Sequence, residues 1–267
     1  QGLTPLHHAA DQNHFEMCQL LLQNVIDKNP KDDAGYTPLH FVSVKGYHRI
    51  FKLISKEVKE INPGDDNSTT PLHLAAKNGH LKICQRILKR ISDNEPKDDL
   101  GLTPLHYAAR NGHLEICQLI YEYVKNKNPS ANDGITPLHE AAGNGHLPIV
   151  CLISENTDDL NPKNSDGVTP FHAAVFDRHL QVCLKFLEIA KDINPEDING
   201  QTPYHAAAVN GFVEVCEKFI VSDKCKDKNP KDVFGTTPLH LAAEHGRVGV
   251  FQLILRNVEE KSPKDNH

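Results

Sequence analysis

Histidine and cysteine are the residues of this chain best suited to chemistry, 17 and 7 of them. Eight histidines close a Thr-Pro-x-His tetrad: His7, His40, His73, His106, His139, His172, His205 and His240. Imidazoles in this number invite a metal site or a proton relay, and both need rings that converge. Six of the seven tetrad spacings are 33 residues and the last is 35. Equivalent side chains on stacked helices sit ~8–10 Å apart, too far to share one ion. The expected role is structural: a side-chain hydrogen bond tying each tetrad to a neighbouring loop. A sharper pattern is His-x-x-x-Cys, at His14/Cys18, His80/Cys84, His113/Cys117 and His179/Cys183. Residues four apart share a helix face, so each pair could offer two soft ligands. A structural zinc needs four ligands, and no second pair faces the first within a unit. Ile83 and Ile116 beside these cysteines point to small core positions instead. Glycines punctuate the period and form no phosphate-cradling loop. Polar residues recur rather than gather, whereas an active site needs one convergent cluster. The expectation is a chain without catalysis, metal or cofactor.

The elements that carry these residues follow from the period. One unit, 101–133, shows the logic. Thr103 suits an N-cap and Pro104 the first helical position. Leu105-His106-Tyr107-Ala108-Ala109 continues that helix, and Asn111-Gly112 break it. Leu114, Ile116, Cys117, Ile120 and Val124 then recur at helical spacing. Asn128-Pro129 are expected to stop this second helix, since the residue before proline leaves the helical region. A turn at Asn132-Asp133-Gly134 leads to the next tetrad. Each unit is therefore helix, turn, helix, extended loop. Eight such units fill the chain, at about 1–34, 35–67, 68–100, 101–133, 134–166, 167–199, 200–234 and 235–267.

The run G-x-T-P-L-H-x-A-A-x-x-G-H-L-x-I, as in Gly101 to Ile116, resembles the ankyrin repeat, and the resemblance covers the whole chain. It implies an all-α solenoid: paired antiparallel helices stacked side by side, with hairpin-like loops projecting from them in a single domain over 1–267. It also implies that first helices and loop tips line a concave binding face. Departures are local. Val42-Ser43 replace Ala-Ala, Ser68 replaces the hairpin glycine, and Arg178 replaces the inter-helix glycine. They predict weak points in repeats two and six. The family's Gly-Ala after the second helix is absent, with Val25-Ile26 and Val124-Lys125 in its place. This predicts a longer second helix that runs to the following proline. Two extra residues in repeat seven, near 222–228, are expected in a longer helix end or loop. Both terminal repeats read like internal ones, which suggests a fragment of a longer array.

Charge narrows the partners. The net charge is −6 with the signs interspersed, which argues against nucleic acid and against a polybasic membrane anchor. No window approaches the ~18 apolar residues of a spanning helix. Five of the seven cysteines share one repeat position, beyond disulfide reach of one another, and fit a reducing, cytoplasmic setting. What remains is surface. The positions that vary between repeats carry individuality. Phe176, Ile198, Val209, Val233 and Phe234 are apolar where the fold does not require it, in adjacent units on the inferred concave face. Such a patch marks an interaction site. Tyr36 and Val44, followed by Lys77 and Arg110, form a second, amphipathic candidate. The function expected is protein or peptide binding, as a scaffold or recognition module. The alternative is a cytoplasmic regulatory domain of a larger channel or enzyme. A monomer is expected, with end-to-end association through the uncapped terminal repeats as its route to assembly.

Overall fold

The computed structural model describes residues 2–266; Gln1 and His267 lie outside the described residues. All regular structure among the described residues is helical. Sixteen helices follow one another in pairs: α1 (Pro5–Asp11) with α2 (Phe15–Asn24), α3 (Pro38–Lys45) with α4 (His48–Glu57), α5 (Pro71–Lys77) with α6 (Leu81–Leu88), α7 (Pro104–Arg110) with α8 (Leu114–Tyr121), α9 (Pro137–Gly143) with α10 (Leu147–Ser154), α11 (Pro170–Phe176) with α12 (Leu180–Ile189), α13 (Pro203–Asn210) with α14 (Val213–Val221), and α15 (Pro238–Glu244) with α16 (Val248–Asn257). Internal contacts group them into two compact units, Gln1–Asn132 and Asp133–His267. Within each unit, first helix packs on first helix and second on second.

Every first helix starts for the same local reason. The tetrad threonine is extended and proline follows at the first helical position. The histidine then takes the place that Glu or Gln holds in an ordinary capping box. Its Nδ1 accepts the threonine backbone N–H, at 3.0 Å in Thr70–His73 and 3.2 Å in Thr169–His172. Buried Leu39, Leu72, Phe171 and Tyr204 and the small Ala75-Ala76 and Ala207-Ala208 form its inward face. Cys84, Cys117, Cys183 and Cys216 fill core positions on the second helices.

The second helices end earlier than the sequence suggests. α2 stops at Asn24 and α8 at Tyr121, several residues before Pro30 and Pro129. Val124 is buried but lies outside its helix. The reason is a distal cap. Lys127 Nζ folds back to donate to the Tyr121 and Val124 carbonyls, and Lys28 to Leu22. Lys228 donates to Phe219 and Ser222 at 3.2 and 2.7 Å. These lysines satisfy carbonyls that a longer helix would otherwise use. The extra residues of repeat seven form a loop. Lys224 in it reaches back to the Glu188 and Ala190 carbonyls at 2.9 and 2.8 Å.

A second histidine series ties each pair to the one before it. His80 Nε2 donates to the Val44 carbonyl at 2.9 Å, His113 to Lys77 at 3.1 Å, and His179 to Gly143 at 2.9 Å. The ring passes so close to the preceding pair that the inter-helix residue there must lack a Cβ. A Cβ on Gly145 would stand 2.4 Å from His179 Nδ1, and one on Gly79 2.7 Å from the His113 ring. Both glycines also hold a left-handed φ, of +74° and +78°.

Two interior positions break the repeat pattern without compensation. Ser43, which replaces an alanine, has a buried hydroxyl with no hydrogen-bond partner, and so does Tyr204, which replaces a leucine. The Tyr204 ring stacks on Phe219 at 4.9 Å, so its size is used and its hydroxyl is not. A buried unpaired polar group costs about 1–3 kcal/mol. Ser43→Ala and Tyr204→Phe should each stabilise the protein by about 1 kcal/mol in denaturant titrations. Destabilisation by either would mean that the hydroxyl has a partner.

Candidate functional site

The tetrad histidines are consumed by architecture. While Nδ1 accepts the threonine N–H, Nε2 donates to a backbone carbonyl of the next loop. His7 reaches Tyr36 at 3.1 Å, His40 Thr69 at 3.1 Å, His172 Gln201 at 3.1 Å and His205 Thr236 at 3.2 Å. The expected tie between tetrad and neighbouring loop is present. Both bonds together fix the neutral ring with its hydrogen on Nε2. Burial lowers the pKa of His7, His73, His139 and His205, and takes those of His40 and His172 down to about 4, against the partial opposition of the carbonyl bond. Burial likewise pushes the Cys84, Cys117, Cys183 and Cys216 thiols up to about 12, which makes them poor nucleophiles. In the His-x-x-x-Cys pairs at 80/84, 113/117 and 179/183, the imidazole points at a carbonyl of the preceding helix pair. Among the described residues, no three His, Cys, Asp or Glu side chains converge as ligands for an ion.

The loops that carry variable residues are rigid. Asp32 Oδ1 accepts the N–H groups of Ala34 and Tyr36 at 2.9 and 2.8 Å, and Asp232 those of Phe234 and Thr236 at 2.9 and 2.8 Å. Asp65, Asp98, Asn164 and Asp197 repeat the arrangement. A ladder joins successive tips: Ile198 N–H donates to Asp166 at 3.1 Å, Val233 to Asn199 at 3.0 Å, and Asn266 to Phe234 at 2.9 Å. Ile198 and Val233 therefore hold equivalent rungs on stacked loops, with Phe234 beside them. They are 64%, 58% and 49% exposed. Phe176, 49% exposed, and half-buried Val209 hold equivalent positions at the ends of α11 and α13, which pack together. One helix length, ~10 Å, separates this pair from the loop-tip trio. Between them lie the small side chains of Ala173 and Ala206.

In the other unit, Val44, Lys77 and Arg110 occupy the matching ends of α3, α5 and α7. Val44 is half-buried and the two cations are exposed. Tyr36 lies one helix length away, tilted against His40 at 5.1 Å and edge-on to Phe41 at 5.9 Å. Phe41 and Tyr107 were missed by the sequence reading. Both are half-exposed at the middle of the first helix, and the Tyr107 hydroxyl donates to Asp98 at 2.7 Å. Comparing the repeats at that one position would have revealed them, since Ala173 and Ala206 stand there in the other unit.

A family model described as ankyrin repeats (3 copies) matches residues 1–65, 44–131, 120–197 and 182–265. The chain belongs to the ankyrin repeat family. Comparison with curated proteins returns no match. Ankyrin repeats are generally protein–protein interaction modules and typically non-catalytic. No helix among the described residues is long and apolar enough to cross a membrane.

Proposed function

We propose that this chain is a recognition or scaffolding module that binds a protein or peptide on the face built from the first helices and loop tips of repeats six to eight. The observation that supports this is a change of chemistry at fixed register. The loop rung is Asp33, Asp66 and Asp99 in one unit, Asn132 and Ser165 after them, and then Ile198 and Val233. Equivalent backbone hydrogen bonds hold the rungs from Asp66 to Val233, so the apolar side chains add nothing the loop needs. Large half-exposed aromatic groups are the usual anchors of an interface. Tyr36, Val44, Lys77 and Arg110 form the competing surface. The module acts as a monomer in the cytoplasm in this reading.

Truncation separates the two surfaces. Phe176→Ala and Phe234→Ala should each weaken partner binding by about 1–3 kcal/mol. Folding stability should stay within about 0.5 kcal/mol, because the side chains are half-exposed. The measurement is partner affinity by calorimetry beside a denaturation midpoint for each variant, using the protein captured by the wild-type chain. Unchanged affinity would move the interface to Tyr36, Val44, Lys77 and Arg110. Joint loss of binding and stability would show that both rings serve the fold.

A further inference from the structure

The second helices of the unit Gln1–Asn132 carry a charge pattern that the loop-tip face does not use. The stretches 48–60 and 81–90 hold eight Lys and Arg against two Glu, a local net charge of +6 in a chain of −6. α4 turns Lys52 and Lys56 outward, one helical turn apart. α6 packs beside it and presents Lys82 and, just past its end, Lys89, with half-buried Arg86 between them. Lys82, Arg86, Lys89 and Arg90 line a cleft of about 370 Å³ together with Gln85. No described carboxylate pairs with any of these cations. Two of them are held in place by the fold. Arg86 Nε donates to Ser55 Oγ at 3.0 Å, and Arg90 donates to the Ser55 carbonyl at the end of α4. A guanidinium has five donors, so each retains donors for a ligand while its position is fixed.

Self-repulsion of this kind lowers stability and is normally relieved by interspersed carboxylates, as it is in the rest of the chain. Here the only carboxylates are Glu57 at the end of α4 and Glu60 just past it, and α6 carries none. We propose that the α4–α6 face is a docking site for a short acidic protein segment, a run of Asp and Glu side chains. The flanks set the length. α2 exposes Glu16 on one side, and on the other α8 exposes Glu115 with Glu122 just past its end. Two helices ~8–10 Å apart and roughly three turns long accommodate only a few extended residues. A long nucleic acid or a planar anionic membrane would run over the flanking carboxylates. No aromatic side chain lines the cleft to stack a base. A short carboxylate run meets the cations and avoids the flanks, and paired Arg side chains are well shaped for carboxylates. This surface is independent of Phe176 and Phe234, and its occupant is a second partner or a second segment of the same partner.

The test is fluorescence anisotropy at low salt with a short labelled polyglutamate peptide. A single-stranded oligonucleotide of equal charge and phosphatidylserine vesicles serve as competing probes. The wild-type chain should bind the peptide, and binding should fall steeply with added salt. Lys52→Glu/Lys56→Glu and Lys82→Glu/Lys89→Glu should each weaken it on the order of tenfold. Lys191→Glu/Lys226→Glu, an equal change of net charge at exposed sites elsewhere, should change it less than about twofold. Melting midpoints check that every variant is folded. Equal loss in the control variant would reduce the effect to net charge and overturn the site. Tighter binding of the oligonucleotide or the vesicles would overturn the choice of an acidic protein segment. Absence of peptide binding would overturn the proposal outright.

Discussion

Acidification from pH 7 to pH 5 should remove several kcal/mol of stability from this protein, well before its carboxylates are neutralised. The cause is the buried tetrad histidines. Each is neutral in the fold, with Nδ1 facing a backbone N–H and Nε2 bonded to a carbonyl. A proton added to Nδ1 would face the threonine donor and break the cap. The folded pKa of His40 and of His172 is about 4, below the unfolded value of 6.5. The unfolded chain therefore takes up protons first as the pH falls. The stability these groups contribute is intact above 6.5 and declines from there to about 4. At pH 5 the loss is about 2 kcal/mol for each of these two histidines. His7, His73, His139 and His205 are shifted in the same direction and add to it. For a chain of this size every kcal/mol moves the melting midpoint by roughly 2–4 °C. Melting curves at half-unit pH steps should show a midpoint that is flat above pH 7 and falls by ten degrees or more, on the order of the summed loss, by pH 5. His40→Gln keeps a capping-box side chain but cannot titrate, so it should lower the starting stability and flatten the slope by one group. A midpoint that stays level from pH 7 to pH 5 would mean that the imidazoles are not locked neutral.

The same histidines show what the amino-acid sequence makes legible. Thr-Pro-x-His works within four residues, through a cap, a fixed φ and a ring that folds back on its own threonine. Its recurrence therefore located the start of each first helix, while the ends of the second helices were placed several residues too far along the chain. Features that rest on distant partners were hidden. α8 ends at Tyr121 because Lys127 caps it, and a lysine six residues away carries no sign of that role. His80, His113 and His179 looked like halves of metal pairs. Their actual acceptors lie 36 residues back in the chain, and spacing alone cannot point to them. Register singled out Ile198 and Val233, since polar residues hold the same rungs elsewhere. It could not show that a helix length divides them from Phe176 and Val209. The basic α4–α6 face was overlooked because charge was averaged over the chain, whereas helix pairing concentrates it.

Gly145→Ala should cost about 3 kcal/mol, several times the cost of a typical exposed alanine substitution. Two terms add. A side chain in the left-handed conformation, at φ +74°, costs about 1–2 kcal/mol. The new Cβ would also sit 2.4 Å from His179 Nδ1, forcing the ring off the Gly143 carbonyl and costing that hydrogen bond, about 1 kcal/mol. The protein contains its own version of the compensated pair. Arg178 holds the same inter-helix position at φ +63°, and the next pair carries Phe212 where the histidine would reach across. The Arg178 guanidinium lies over the Phe212 ring at 5.9 Å, and Asn210 Nδ2 supplies a bond across the gap to the Val175 carbonyl at 3.0 Å. Asn13 at φ +59°, followed by Tyr47, is a second instance. Glycine is therefore required where a side chain of the next pair crosses the backbone, and dispensable where it does not. Gly211 obeys the rule with arginine as the crossing group, since Arg247 Nε reaches the Val209 carbonyl at 2.7 Å. A double-mutant cycle isolates the coupling. His179→Phe alone should cost about 1 kcal/mol for the lost bond. Gly145→Ala/His179→Phe should cost about 2–3 kcal/mol rather than the additive 4, since the ring no longer has to be displaced. Denaturant titration of the four proteins measures the difference. Strict additivity would show that the left-handed φ alone explains these glycines and that the crossing histidine has no part in it.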